Sequence, residues 1–238
     1  MSAKKHQLAE VLCGIWFEPN SNPWDSTYFG KYYDKLEKQL GFTEKQEQKA
    51  FQIKVELKSN KTSEGNSLPE MTEGEPRMVF KNNINTTAVV LSSNFISFHK
   101  LPEYESWDSL IDSLVKPGIK IYSEIGLGKD VVQVQCLYLN KYSLDIKDKL
   151  SDYFSFIPSI EDFGIGSETN LSFQSQYDLS PNMHMLIKLN GNINPQTNTK
   201  EVFFECSCFA KRLGDEDIFI LAKQAHDQTN LVYKKITK

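Results

Sequence analysis

Cys206 and Cys208, one residue apart, are the first pair in this 238-residue chain whose spacing suggests chemistry. Paired thiolates begin zinc sites, but a closed site takes four ligands, and no second Cys-x-x-Cys or spaced His pair completes one. Both thiols also share a strand face with Val202, Phe204 and Ala210, because side chains two apart on a strand point the same way. Buried, reduced packing is the expectation for them, and for Cys13 and Cys136 in their own apolar runs.

The other chemistry-bearing residue types form no catalytic pattern. There is no G-x-S-x-G elbow, no S-x-x-K, and no cysteine with a histidine close in sequence. Among the histidines, His6 falls near the terminus, His99 ends a strand, His184 shares a polar strand face with Lys188, and His226 flanks the apolar stripe of the last helix. All four are expected at the surface or its boundary. Gly126-Leu127-Gly128-Lys129 lacks the spacing and the hydroxyl residue of a phosphate loop, and Gly164-Ile165-Gly166 lacks the third glycine of a dinucleotide site. Both read as turns. Glu103, Glu105, Asp108, Asp145, Asp148, Asp152, Glu161, Asp162 and Asp178 are scattered over loops and helix starts, and nothing in sequence pairs them across a cleft. The expectation is no catalytic residue, no cofactor and no metal.

Charge narrows the partner class. The chain carries 27 basic and 31 acidic residues, a net charge of −4, and its only arginines are Arg77 and Arg212. Arginine supplies the planar fork that grips phosphate, so a nucleic-acid surface starts at a disadvantage. Lys31, Lys35 and Lys38 alternate with Asp34 and Glu37, the pattern of a solvated face. No apolar run approaches the length of a membrane span, and Met1–Glu10 has no signal-peptide apolar stretch, so a cytoplasmic location is expected. The sequons at Asn60, Asn85 and Asn170 then read as chance.

The elements that must position these residues follow from periodicity. Residues 8–18 alternate Val11, Cys13, Ile15 and Phe17 against Glu10, Gly14 and Trp16, a strand. Asp25 or Ser26 caps a helix carrying Phe29, Leu36 and Leu40, ended by Gly41. A strand is expected at 49–57, a mobile loop at 59–75, and strands near 77–82, 86–91 and 95–99. Ser106 caps the next helix, and Pro117-Gly118 should end or kink it, leaving 119–125 open between helix and strand. A strand at 131–141, a short helix at 145–154, strands at 169–177, 182–190 and 201–210, and a helix at 215–236 complete the chain. Trp16, Phe203 and Phe209 oppose the apolar faces of their strands. They are core if helices cover those faces and an interaction patch otherwise; core is the favoured reading.

This order implies an α+β fold of two related β-α-β(3–4)-α halves, 1–127 and 128–238, packed as one unit. Their antiparallel sheets would be covered by helices or would merge. The order resembles TATA-binding-protein-like and helix-grip arrangements, which does not decide function. Four segments, LAEVLCGIWFEP (8–19), LSSNFISFHKLPEYESWDSLI (91–111), GKDVVQVQCLYLNKYSL (128–144) and AHDQTNLVYKKIT (225–237), resemble a sporadically distributed family of uncharacterised bacterial proteins. The family's versions of the 128–144 strand are arginine-rich, whereas Lys141 stands here. The resemblance implies an α+β fold and the patchy distribution of mobile or defence-linked genes, with no activity to carry over. The function expected is a non-enzymatic binding protein of a defence or toxin-neutralising operon, its partner another protein. The alternatives are a nucleic-acid binder using a curved sheet and an enzyme with a site between the halves.

Overall fold

A computed structural model of the chain describes residues 5–18, 25–48, 51–54, 70–73, 76–82, 86–102, 104–127, 130–157, 170–194 and 196–237. Its α+β architecture is a nine-stranded sheet with a few helices. The first strand, β1 (Lys5–Phe17), buries Val11, Cys13, Ile15 and Phe17, the alternating set, on one face. The other strands are β2 (Phe42–Gln48), β3 (Phe51–Lys54), β4 (Glu70–Glu73), β5 (Arg77–Asn82), β6 (Thr87–Leu91), β7 (Phe95–Lys100), β8 (Val131–Asp145), β9 (Asn170–Ser180), β10 (Met183–Asn194) and β11 (Thr199–Lys211). The large sheet runs β2-β5-β6-β7-β1-β8-β11-β10-β9, and β3 pairs with β4 in a separate ribbon. Every described pairing is antiparallel. Residues of both 1–127 and 128–238 thus enter one sheet, joined where β1 pairs with β8.

Strand register lines up one buried row across seven strands. Phe80 lies opposite Val89, Val89 opposite Phe98, Phe98 opposite Cys13, Cys13 opposite Cys136, Cys136 opposite Cys208, and Cys208 opposite Met185. Each of these side chains is at most 1% exposed. The helices pack on this face. Helix α1 (Thr27–Leu40) buries Phe29, Tyr32 and Leu36, one stripe at helical spacing. Asp25 Oδ1 accepts from Thr27 N–H at 2.9 Å, and Gly41 closes the helix in the left-handed region at φ +69°. Helix α4 (Ile218–Ile236) lies against β8 and β11, burying Leu221, Ala222, Ala225 and Thr229. Asp217 caps it by accepting from Phe219 and Ile220 N–H, while Lys234 and Lys235 face the negative end of its dipole.

The helical stretch after β7 decides between the alternatives left open for 119–125. Ser106 does cap α2 (Trp107–Leu110), its Oγ accepting from Ser109 N–H at 3.1 Å. The chain then passes through a π-turn (Ile111–Val115), α3 (Lys116–Tyr122) and a second wide turn (Ser123–Leu127) without ending at Pro117. Proline lacks an N–H, and the widened turn just before it absorbs the lost bond, so 119–125 is helix. Gly118 is where this helix presses on the sheet. A Cβ there would fall 2.2 Å from Phe98 Cε1, and Tyr32 Oη donates to the Gly118 carbonyl at 3.1 Å.

Of the strand expected at 49–57, residues 51–54 form β3 in the small ribbon and the rest lie outside the described residues, while one edge of the large sheet is β2. The sequence of β2, FTEKQEQ, offers no apolar alternation; it is a strand because β5 bonds it, and only Phe42 is buried. The loop expected at 59–75 contains β4 at Glu70–Glu73, its remainder otherwise outside the described residues. The helix expected at 145–154 is a continuation of β8 to Asp145, then turns and a 3₁₀ turn at Leu150–Asp152. Its acid-rich start bonds locally instead: Asp148 accepts from Asp145 N–H and Tyr153 Oη, and Asp145 from Lys147 N–H.

Candidate docking face

The sheet's second face carries the side chains that alternate with the buried rows. No described helix packs on it. At its centre Trp16 of β1 lies against Phe95 of β7, ring centroids 4.4 Å apart, and Phe209 of β11, 5.9 Å apart. His184 of β10 stacks on Phe209 at 4.8 Å with planes 6° apart. All four rings are half-buried. Gly14 is their seat: a Cβ there would stand 3.1 Å from the Trp16 ring, 3.2 Å from Phe95 and 3.2 Å from Gln135 Oε1. The aromatic cluster therefore sits close against the backbone of β1 at Gly14. This corrects the favoured core reading of Trp16, Phe203 and Phe209. They oppose the helix-packed face, and Phe203 receives the Lys141 ammonium 5.6 Å from its ring centre instead of a helix.

Beside the rings run two polar chains. On β7 and β1, Ser97 Oγ and His99 Nε2 are 2.7 Å apart, and His99 Nδ1 contacts Glu10 Oε1. The Glu10 carboxylate requires Nδ1–H, and in the neutral ring the Nε2 lone pair then accepts from the Ser97 hydroxyl. On β8, β11 and β10, Gln135 Nε2 donates to Ser207 Oγ at 3.3 Å, Ser207 Oγ donates to Glu205 Oε1 at 3.3 Å, and Lys188 Nζ closes the chain on Glu205 at 3.2 Å. Lys141 pairs with Glu201 at 2.6 Å. Ion pairs this exposed contribute at most about 1 kcal/mol each. Their effect is to mix the signs of charge around the rings.

Ser97–His99–Glu10 has the order of nucleophile, base and orienting carboxylate. Ser97 is 1% exposed in the middle of β7, whose backbone is taken up on both sides by β1 and β6. The N–H groups of β7 beside Ser97 are thus committed to the neighbouring strands. The groups satisfy one another, as half-buried polar groups must.

The other sequence candidates lie elsewhere. His226 sits on the helix side, stacked on Trp107 at 4.7 Å and bonded to Asn230 and Asp227, and burial holds its pKa below the ordinary histidine value. Glu105 accepts from Ser109 Oγ. Gly126, at φ +85°, ends the second wide turn, while Gly128, Lys129, Glu103, Glu161, Asp162 and Gly164-Ile165-Gly166 lie outside the described residues, as does the His6 side chain. Where α3 approaches the start of α4, a shallow groove of about 430 Å³ is lined by Phe17, Ile119, Val131 and Phe219 with Arg212 and Glu216. Within it Arg212 Nε donates to the Glu216 carbonyl and the Glu216 carboxylate accepts from Leu213 N–H. Glu10 was missing from the sequence candidates. It reaches His99 only through the register of two strands far apart in the chain.

Cys13, Cys136, Cys206 and Cys208 are free and fully buried on the helix side. Cys206 Sγ contacts Met185 Sδ at 3.5 Å and the Thr229 carbonyl at 3.8 Å. Among the described residues no group of three His, Cys, Asp or Glu is placed to hold a metal. Burial pushes the thiols of Cys13, Cys206 and Cys208 up to about 12. A folded-state pKa above the unfolded 9.0 leaves stability intact below pH 9 and removes it above, where only the unfolded thiols ionise. Between pH 9 and 12 each thiol is expected to lower stability by about 1.4 kcal/mol per pH unit. Urea unfolding at pH 8, 9 and 10 reads the fall; the same titration with Cys206→Ala should lessen its slope by one thiol's share, about 1.4 kcal/mol per pH unit.

No protein-family model matches this chain, and no curated protein matches it. Among the described residues no helix is long and apolar enough to cross a membrane.

Proposed function

We propose that this chain is a non-enzymatic binding protein of the cytoplasm whose second sheet face takes up another protein. The observation that carries the reading is the contiguous cluster of Trp16, Phe95, Phe209 and His184 on a face where no described helix packs. Aromatic anchors ringed by polar groups of both signs are the composition of a protein interface. We read the face as shared by two related halves, 1–127 and 128–238. The strand order supports this: from the central β1–β8 pair, β7, β6 and β5 lead outward on one side and β11, β10 and β9 on the other. We take the partner to be a toxin or defence component of the same operon, a reading supported by the resemblance to bacterial proteins of patchy distribution. Capture from lysate of the source cells tests the reading. Immobilised wild-type chain should retain a protein that Trp16→Ala, still folded, does not.

Nucleic acid is a poor fit for this surface. Lys141 and Lys188 are committed to Glu201 and Glu205, and binding phosphates would break those pairs. Labelled single- and double-stranded oligonucleotides at about 150 mM salt should show no sub-micromolar binding, since counterion release needs clustered free cations. Sub-micromolar binding with a steep salt slope would replace the protein partner with nucleic acid.

A second reading, acyl-transfer chemistry, draws on the Ser97–His99–Glu10 chain. A fluorophosphonate probe separates the two. Labelling that Ser97→Ala abolishes would establish the enzyme; the binding reading expects none.

A further inference from the structure

The two edges of the nine-stranded sheet are built differently. An edge strand offers a row of unpaired N–H and C=O groups, and proteins that stay monomeric blunt such edges with charges, bulges or proline. Strand β2 is blunted: Glu44, Lys45 and Glu47 line it, and its pairing with β5 is interrupted between Phe42 and Glu44. Strand β9, NLSFQSQYDLS, has eleven residues, no proline, no lysine and a single charge at Asp178. Among the described residues it pairs with β10 alone, and its pairing is regular from Asn170 to Asp178. Tyr177 is 47% exposed and Leu179 40% exposed on it, two of the large apolar side chains left most open to solvent.

We propose that β9 is a homodimer edge, pairing antiparallel with β9 of a second copy about a two-fold axis at Ser175. An isologous contact requires a strand complementary to itself. With Ser175 on the axis, Phe173 lies opposite Tyr177 of the other copy, Gln174 opposite Gln176, and Ser172 opposite Asp178. The aromatic pair occurs twice, and no like charges meet. Aromatic pairs directly across antiparallel strands stabilise the sheet, whereas like charges there oppose it. The occupant is a second copy because this neutral, self-matching pattern supplies its own partner. This edge lies one strand beyond His184 of the aromatic cluster, with Asp178 opposite His184.

Sedimentation equilibrium decides, at chain concentrations on the order of 100 µM, where a micromolar dimer is filled. The wild type is expected to sediment as a dimer. Ser175→Lys and Ser175→Glu, each placing like charges on the axis, should weaken association about tenfold or more, and an equimolar mixture of the two should restore it. Gln46→Lys on β2 should leave association unchanged. Ser175→Cys, with its thiols facing each other on the axis, should form a disulfide-linked dimer under mild oxidation while the four native thiols stay buried. A monomeric wild type, a Ser175→Lys dimer as tight as the wild type, or no cross-link through Cys at 175 would overturn the proposal.

Discussion

Replacing Gly118 by alanine is expected to lower the stability of the fold by about 3 kcal/mol, the upper end of the range for overpacking a core. The added methyl would sit 2.2 Å from Phe98 Cε1, 2.8 Å from Phe98 Cζ and 3.1 Å from Tyr32 Oη. Phe98 is fully buried in the row between Val89 and Cys13, so its ring has nowhere to swing. Relief must come from lifting the helix, which also stretches the bond from Tyr32 Oη to the Gly118 carbonyl. Gly30 is the internal contrast. It lies within α1 with nothing inside 4 Å of an added Cβ, so Gly30→Ala should raise stability by about 1 kcal/mol through helix propensity alone. Urea unfolding followed by far-ultraviolet circular dichroism reads both. Opposite signs are the expected result; a neutral Gly118→Ala would mean the helix does not press on β7 as described.

Much of this fold is legible in local pattern. The alternation of Val11, Cys13, Ile15 and Phe17 predicts β1, and the stripe with Leu221 and Ala225 predicts α4, because both periods are imposed by one buried face. What escapes the sequence is set by neighbours. The residues of β2 carry no apolar period and become a strand only through the backbone of β5. Pro117 follows the local rule for ending a helix, yet the wide turn at Ile111–Val115 and burial of Ile121 and Tyr122 carry the helix on.

The candidate face shows the same division. Alternation marks Trp16 and Phe209 as opposite the buried rows, but it does not say which face the helices choose. That choice depends on how the connections between strands cross, a property of the whole chain. The meeting of Glu10, His99 and Ser97 depends on β1 lying against β7 with Leu12 opposite His99, and no spacing rule encodes that register.

The second large effect belongs to Phe209, whose ring joins the Trp16 side of the cluster to His184. Phe209→Glu sets a carboxylate among the rings that a docked partner would seal from water. An unpaired charge desolvated in an interface costs several kcal/mol, so affinity for the captured protein should fall about a hundredfold or more. The fold should tolerate the change, because the ring is half-buried on the face away from the helices. Leu231→Glu supplies the control: Leu231 is 46% exposed on α4, across the sheet from the cluster. Isothermal titration of the captured protein into wild type, Phe209→Glu and Leu231→Glu is the most direct measurement. Leu231→Glu should keep wild-type affinity, and folded Phe209→Glu should lose about two orders of magnitude. Equal affinity for wild type and Phe209→Glu, or loss on Leu231→Glu instead, would contradict it.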